Sequence, residues 1–232
     1  MVVAGGSGNR FGGLKQFEPL GTGTVLDSAV WTSRAVAEFV VVVLPPSTVA
    51  AEVAGADVVV AGGETRSASV RAGLAALAPG ARSCDEQTRP RVPPFDPEIV
   101  VVHDAARPLA SPALFKSVVD AVRAGADAAV PGLPVNDTVK RVAGGQVRET
   151  VAREGLFMIQ TPQAFRLSAL NEAHRGGADA TDDAALVEAA GGTVVVVEGE
   201  PANIKLTSPF DLPLLEALVS AGAAAIGSPR LG

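Results

Sequence analysis

Short valine-rich runs alternate with longer alanine- and leucine-rich segments along this chain, and the two patterns predict different elements. Runs at 39–44 (FVVVVL), 57–60 (DVVV), 98–103 (EIVVVH), 127–131 (DAAVP), 156–160 (LFMIQ) and 193–198 (TVVVVE) are near-continuously apolar, as expected of strands buried on both faces. Segments 25–37, 65–78, 111–124, 166–175, 182–190 and 208–224 have helical composition. Two of them open on Ser111-Pro112 and Ser208-Pro209, an N-cap followed by proline in the first turn. Such alternation predicts an α/β architecture, a mostly parallel twisted sheet with helices on both faces.

Three places depart from it. Only Met1 to Ala4 precede the first glycines, a short run for a central strand, so the natural start is expected upstream of Met1. Residues 79–97 hold five prolines with mixed charge and no period, which reads as a long surface loop. In "VNDTVKRVAGGQVRETV" two polar, alternating runs flank Gly144-Gly145, a hairpin signal. A hairpin this polar has little apolar face of its own and an isolated strand pair is marginal in water, so it is expected to lean on a second copy of the protein.

Length and composition narrow the class. The 232 residues, 47% apolar and 19% charged, suit one globular domain. The densest apolar stretch, "FVVVVLPP", is broken by proline, so no membrane helix is expected, and the N-terminus has no signal-peptide pattern. Cys84 is the single cysteine and fits a reducing cytoplasm. A net charge of −6, no tyrosine and one tryptophan argue against a nucleic-acid surface. Any anionic ligand must therefore be held locally.

The place to hold one is "AGGSGNRFGGLKQ", with five glycines between Gly5 and Gly13. Density of this kind is expected where the backbone approaches a ligand closely. The loop matches neither familiar phosphate motif: Phe11 stands where G-x-G-x-x-G needs its third glycine, and Leu14 separates Gly13 from Lys15 where a P-loop needs them adjacent. Its fixed charges are Arg10 and Lys15, five residues apart.

In open α/β sheets ligands sit beyond the carboxyl ends of strands, so polar residues just after the apolar runs are the candidates. "GGETRSAS" follows 57–60, "HDAARP" follows 98–102, "TPQ" follows 156–160 and "NIK" follows 193–198. Gly62-Gly63 followed by Glu64, Arg66 and Ser69 opens a helix whose backbone N–H groups can bind an anion or a base edge, or form an ordinary capped turn. Asp104 and Arg107 read either as a local ion pair or as site residues, and Asp104 offers a hard cation such as Mg²⁺ a carboxylate. His103 reads as structural, having no partner at zinc spacing. In "TDDAAL", Thr181 as an N-cap with Asp182 and Asp183 favouring the helix dipole suffices as an explanation. Lys205, near a strand end, would be costly there unless it met an anion. Arg10, Lys15 and Lys205 around a glycine loop suit phosphoryl or nucleotidyl transfer, which asks for positioning and charge neutralisation.

The ordered set "AGGSGNR…LKQ", "GGETRSASV", "HDAARP", "NDTVKR", "TPQAF", "TDDA" and "NIKLTSP" spans nearly the whole chain and resembles the 2-C-methyl-D-erythritol 4-phosphate cytidylyltransferases of the non-mevalonate isoprenoid pathway. The resemblance implies a Rossmann-like nucleotidyltransferase fold over 1–232 with a protruding β-arm at about 134–154. It implies joining of CTP to methylerythritol phosphate with Mg²⁺, in a homodimer made through the arm. Carried over residue by residue, Arg10, Lys15 and Lys205 are catalytic. Ala4, Gly5, Gly6, Ser7, Gly8, Gly63, Glu64, Ser69 and Ala105 surround the nucleotide. Asp104, Arg107, Thr161 and Thr181 line the acceptor pocket, and Thr138 and Arg153 reach it from the partner. This sequence departs from the family pattern at Val3 (usually proline), at Ala4-Gly5-Gly6 (usually A-A-G), at Glu64 (usually aspartate) and in the short Arg10-to-Lys15 spacing. Ribitol 5-phosphate as acceptor, a guanylyltransferase, and a non-catalytic nucleotide-binding regulator on the same fold stand as alternatives.

Overall fold

A computed structural model of the chain describes residues 1–6, 11–78 and 97–222. Ser7, Gly8 and Arg10, most of the proline-rich 79–97 segment and the end of the predicted 208–224 helix lie outside the described residues.

In chain order the strands are β1 (Val2–Val3), β2 (Pro19–Leu20), β3 (Gly23–Thr24), β4 (Val41–Leu44), β5 (Val58–Ala61), β6 (Ile99–Asp104), β7 (Ala128–Pro134), β8 (Val139–Ala143), β9 (Gln146–Val151), β10 (Phe157–Ile159), β11 (Gln163–Arg166) and β12 (Val194–Glu198). The helices are α1 (Val25–Val36), α2 (Arg66–Leu77), α3 (Pro112–Arg123), α4 (Leu167–His174), α5 (Asp183–Ala189) and α6 (Asp211–Ser220). One large sheet runs from β5 through β4, β1, β6 and β11 to β7, whose far edge carries β12 and whose near edge also takes β10. Pairs β1–β4, β1–β6, β4–β5 and β7–β12 are parallel. The sheet is mixed, because β10 and β11 run antiparallel to their neighbours.

Side-chain alternation along the strands builds two apolar layers. Val41 and Val43 of β4 join Val3, Val70, Leu74, Phe165, Leu170 and Val187 under α2, α4 and α5. Val40, Val42 and Leu44 face the other way, with Val2, Leu26, Ala29 and Val30 of α1. Farther along the sheet α3 covers Ala129 and Ala164 with Val118 and Val122. Each fully buried valine or leucine contributes roughly 1.5–3 kcal/mol, so the central strands can consist of little else. The outer strands relax that demand: β5 is half-buried and Val196 of β12 is half-exposed, correcting the expectation that every valine run is covered on both faces.

Helix starts follow local chemistry. Thr24 and Asp27 form a reciprocal capping box at α1, and Ser111 caps α3 ahead of Pro112. Two start signals are displaced. Helix α6 begins at Asp211, not at Ser208-Pro209, because the Asp211 carboxylate accepts the backbone N–H groups of Thr207 (2.8 Å) and Ser208 (2.7 Å). The cap of α5 is Asp182, not Thr181: its carboxylate accepts the Ala185 N–H at 3.0 Å. The predicted hairpin is present as β8–β9, and Gly144 and Gly145 turn it at φ 59° and 76°, the left-handed region that a tight two-residue turn requires.

Strands β1, β4 and β5 step outward in one direction, and β6 returns to the other side of β1. That reversal opens a crevice at the carboxyl ends of β1 and β6, where such sheets bind ligands.

Candidate active site

The crevice is a cleft of about 300 Å³ lined from four stretches: Val3 to Gly6 with Lys15 and Gln16, Gly63 to Arg66 with Ser69, Asp104 to Ala106, and Lys205. Gln16 is buried and its amide donates to the Ala4 carbonyl at 3.0 Å. Lys15 Nζ donates to the Leu206 carbonyl at 2.6 Å. These two bonds tie the far side of the glycine loop to the sheet and to the segment carrying Lys205. A side chain on either Gly5 or Gly62 would put its Cβ 2.7 Å from Ser69 Oγ, so the floor beside Ser69 closes only with glycine at both positions.

Across the cleft runs a row of alternating charges. Lys205 Nζ lies 2.6 Å from Asp104 Oδ2, and Arg66 Nε lies 3.3 Å from Asp104 Oδ1. Arg66 Nη1 then meets Asp183 Oδ2 at 2.6 Å, and Asp183 Oδ1 meets His174 Nε2 at 3.0 Å. Burial alone would raise the Asp104 pKa, but Lys205 and Arg66 outweigh it and hold the carboxyl well below the usual range. Arg66 is likewise held charged: burial opposes its charge, and Asp104 and Asp183 more than compensate.

Asp104 is also fixed through its backbone. Its N–H donates to Thr161 Oγ1 at 3.0 Å, and that hydroxyl lies 3.2 Å from His103 Nδ1. His103 Nε2 lies 3.1 Å from the Arg107 carbonyl, which accepts only, so Nε2 carries the proton and Nδ1 accepts from Thr161. Burial pushes the His103 pKa down to about 4, and the ring stays neutral near pH 7. The segment before Lys205 hangs on a second buried network. Gln160 donates to the Glu200 carbonyl (2.9 Å) and accepts the Glu200 N–H (3.0 Å), and fully buried Asn203 donates to the Thr161 carbonyl (2.9 Å).

Of the residues singled out in the sequence, the cleft brings together Ala4, Gly5, Gly6, Lys15, Gly63, Glu64, Ser69, Asp104, Ala105 and Lys205. Arg107, Thr138, Arg153, Thr161 and Thr181 do not line it. The local Asp104–Arg107 ion pair does not form; Arg107 donates instead to the carbonyls of Asn203 (2.8 Å) and Ile159 (3.3 Å), and Asp104 takes its cations from α2 and the Lys205 segment. Thr161 is buried behind Asp104, and Thr181 is exposed just before α5. Thr138 and Arg153 are exposed at the foot of the arm, where Arg153 donates to the Asn136 carbonyl.

Helix-dipole placement is insufficient for Asp183. It is fully buried and paired twice. Asp183, Leu186 and Val187 share one buried face of α5, so an acid at the head of an apolar stripe was the signal for it. Gln16, Gln160 and His174 were not singled out for the site either, and Arg66 was named only at its helix start, with no role of its own.

As a resident Mg²⁺ ligand Asp104 fits poorly, since both its oxygens already face cations. Among the described residues no cluster of three His, Cys, Asp or Glu side chains could hold a metal. A divalent ion suits this cleft only as one brought by a phosphate-bearing ligand.

A family model described as IspD, 2-C-methyl-D-erythritol 4-phosphate cytidylyltransferase, matches residues 1–221. Among curated proteins, the bifunctional enzyme IspD/IspF of Granulibacter bethesdensis is 40% identical over 239 residues, taking in 100% of this chain and 58% of the relative. The bifunctional enzyme IspD/IspF of Clavibacter michiganensis is 43% identical over 241 residues, with 97% and 55% covered. The chain thus spans little more than half the length of these curated relatives. Among solved structures, 2-C-methyl-D-erythritol 4-phosphate cytidylyltransferase from Thermus thermophilus matches with a TM-score of 0.76 at 37% identity, covering 94% of this chain and 97% of that one. The bifunctional IspDF from Campylobacter jejuni matches with a TM-score of 0.74 at 28% identity, covering 91% of this chain and 52% of that one.

Proposed function

Because the chain belongs to the 2-C-methyl-D-erythritol 4-phosphate cytidylyltransferase family, we propose that its cleft joins CTP to 2-C-methyl-D-erythritol 4-phosphate. The products are 4-diphosphocytidyl-2-C-methyl-D-erythritol and pyrophosphate. The observation that carries this is the meeting of Lys15 and Lys205 in one glycine-floored cleft at the carboxyl ends of β1 and β6.

An oxygen of the acceptor phosphate attacks the α-phosphorus of CTP in line. The new P–O bond forms as the bond to the bridging oxygen of the β-phosphate breaks, and pyrophosphate departs with the electron pair. No side-chain nucleophile is needed; charge on the phosphoryl oxygens must be met by fixed cations. Lys15, with Arg10, holds the triphosphate, and Lys205 sits at the α-phosphate, steered by Asp104. Ala4, Gly5, Gly6, Ser7, Gly8, Gly63, Glu64, Ser69 and Ala105 form the nucleotide side. Asp104, Arg107, Thr161 and Thr181 belong to the acceptor side. A divalent cation, which we take to be Mg²⁺, is supplied on the triphosphate and neutralises part of its charge.

The chain is proposed to be a single domain over 1–232 whose arm, about 134–154, reaches a second copy and brings Thr138 and Arg153 to its acceptor pocket. Supporting this, among the described residues β8 and β9 pair only with each other, and Val142 and Val147 stand 56% and 60% exposed. The compartment is proposed to be the cytoplasm; no described helix is long and apolar enough to cross a membrane.

The test is pyrophosphate release with CTP and Mg²⁺, comparing methylerythritol 4-phosphate, ribitol 5-phosphate and no acceptor. Release with methylerythritol 4-phosphate alone is expected. Release with ribitol 5-phosphate instead reassigns the acceptor. Silence with every acceptor, despite CTP binding, favours a nucleotide-binding regulator.

A further inference from the structure

We propose that Arg66, Asp183 and His174 are positioning residues for the acceptor, acting through Asp104; the inference rests on the cytidylyltransferase reading above. The three come from the starts or ends of different helices, α2, α5 and α4, and converge on the side of Asp104 opposite Lys205.

Asp183 is the least expected member. It is fully buried, and it is not needed as a cap because Asp182 caps α5. Desolvating a carboxylate costs several kcal/mol, and a buried ion pair often stabilises no more than apolar residues of the same volume. An apolar side chain beside Leu186 and Val187 would therefore have served packing as well. What the carboxylate supplies is direction. It takes Arg66 Nη1 at 2.6 Å on one oxygen while His174 Nε2 holds the other at 3.0 Å. The guanidinium is planar, so fixing Nη1 also fixes where Nε points. It points at Asp104 Oδ1, 3.3 Å away.

With Lys205 on Oδ2 and Thr161 on the backbone N–H, the carboxylate of Asp104 is set on three sides. A polyol phosphate acceptor offers hydroxyl donors, and a carboxylate of fixed plane recognises them directionally. Without Asp183, Arg66 is free to turn wholly onto Asp104 and compete with Lys205 for it. On the nucleotide side, Ser69 and Lys15 are bonded to backbone carbonyls of Thr65 and Leu206, and Lys205 is the residue through which a shift of Asp104 would reach it.

The experiment measures pyrophosphate release by the full chain and by Asp183→Asn, Arg66→Lys, His174→Gln and His174→Leu, varying acceptor at saturating CTP and CTP at saturating acceptor, with thermal melting of each. Asp183→Asn should raise KM for the acceptor on the order of tenfold, as expected for a small misplacement of a binding group. KM for CTP should stay within about twofold. Arg66→Lys, which cannot span both carboxylates, should act in the same direction and at least as strongly. His174→Gln keeps an N–H donor and should resemble the wild type, whereas His174→Leu should show a weaker form of the Asp183→Asn effect. If Asp183→Asn fails to fold, Arg66→Lys and the His174 pair carry the same test. Unchanged acceptor KM, equal rises in both KM values, or a fall in kcat matching only lost folded protein would overturn the proposal. A wild-type chain silent with every acceptor would overturn the cytidylyltransferase reading itself, which this outcome separates from failure of the positioning role.

Discussion

The cleft and the arm are built on opposite principles. In the cleft, polar side chains are tied to partners distant in sequence: Lys15 to Leu206, Lys205 and Arg66 to Asp104, and Arg66 to Asp183. In the arm, Lys140 bonds Thr150 at 2.6 Å and Arg141 pairs Glu149 at 3.0 Å, each across a single hairpin and exposed. Exposed pairs of that kind contribute about 0–1 kcal/mol. One chain thus preorganises its cleft, while the arm has local order and, among the described residues, no packed face of its own. The difference teaches where to look for missing parts: the cleft's cations already have partners, whereas Val142 and Val147 of the arm stand exposed among the described residues.

The sharpest separation should come from Lys15→Ala. This ammonium is held to the segment that carries Lys205, so under the proposed function its loss removes a fixed charge from the triphosphate site. A fall in kcat on the order of a hundredfold or more is expected, the size seen when a preorganised transition-state contact is deleted. Steady-state kinetics on the purified protein checks it. A wild-type kcat would remove Lys15 from the chemistry and leave the cleft no more committed to function than the arm.

Acidity should separate the two regions next. Burial lowers the His103 pKa from 6.5 in the unfolded chain to about 4 in the fold. Between those values the unfolded chain binds a proton that the folded chain refuses. Stability should be full above pH 6.5, decline as pH falls, and level off below 4, for a total of about 3 kcal/mol from this group. Asp104 contributes little in that window, since Lys205 and Arg66 keep it ionised in the fold and its unfolded value of 3.8 lies below the window. Urea unfolding at pH 7 and pH 4.5 reads the decline, and His103→Gln, which keeps a donor for the Arg107 carbonyl, should flatten it. An unchanged slope in that variant would place the titrating group elsewhere.

How much was legible in the sequence follows the same division. Buried valine runs announce strands because no other composition tolerates burial on both faces, and β4, β6 and β7 stand where their runs do. Strand β11 escaped because Gln163–Arg166 is four residues long and opens on a glutamine; its apolar pair, Ala164 and Phe165, merges with the helix pattern that follows. The cleft's cations were legible one at a time from their places after strands. Their pairing was not, since Arg66 and Asp183 stand 117 residues apart and no local period records a contact of that range. The arm was the reverse: its Gly-Gly turn is a purely local signal, and the polarity of its two runs was itself the ground for expecting a second copy.

The smallest effect is the most informative about the arm. Arg153 is exposed and bonds only within the arm's foot, to the Asn136 carbonyl, so Arg153→Ala should leave folding and CTP binding intact. If it serves a partner's acceptor pocket, KM for methylerythritol phosphate should rise about tenfold, roughly 1.4 kcal/mol. Equal loss toward both substrates would contradict the assignment. Mixing distinguishes reach within one chain from reach between two. In a dimer of one Lys15→Ala chain and one Arg153→Ala chain, the second chain's cleft keeps Lys15 and receives an intact arm from the first. One site per mixed dimer should therefore regain wild-type KM, although neither parent has such a site. If the arm served its own chain, the mixture would show only the average of its parents, and the cleft would prove as self-sufficient in substrate contacts as it is in structure.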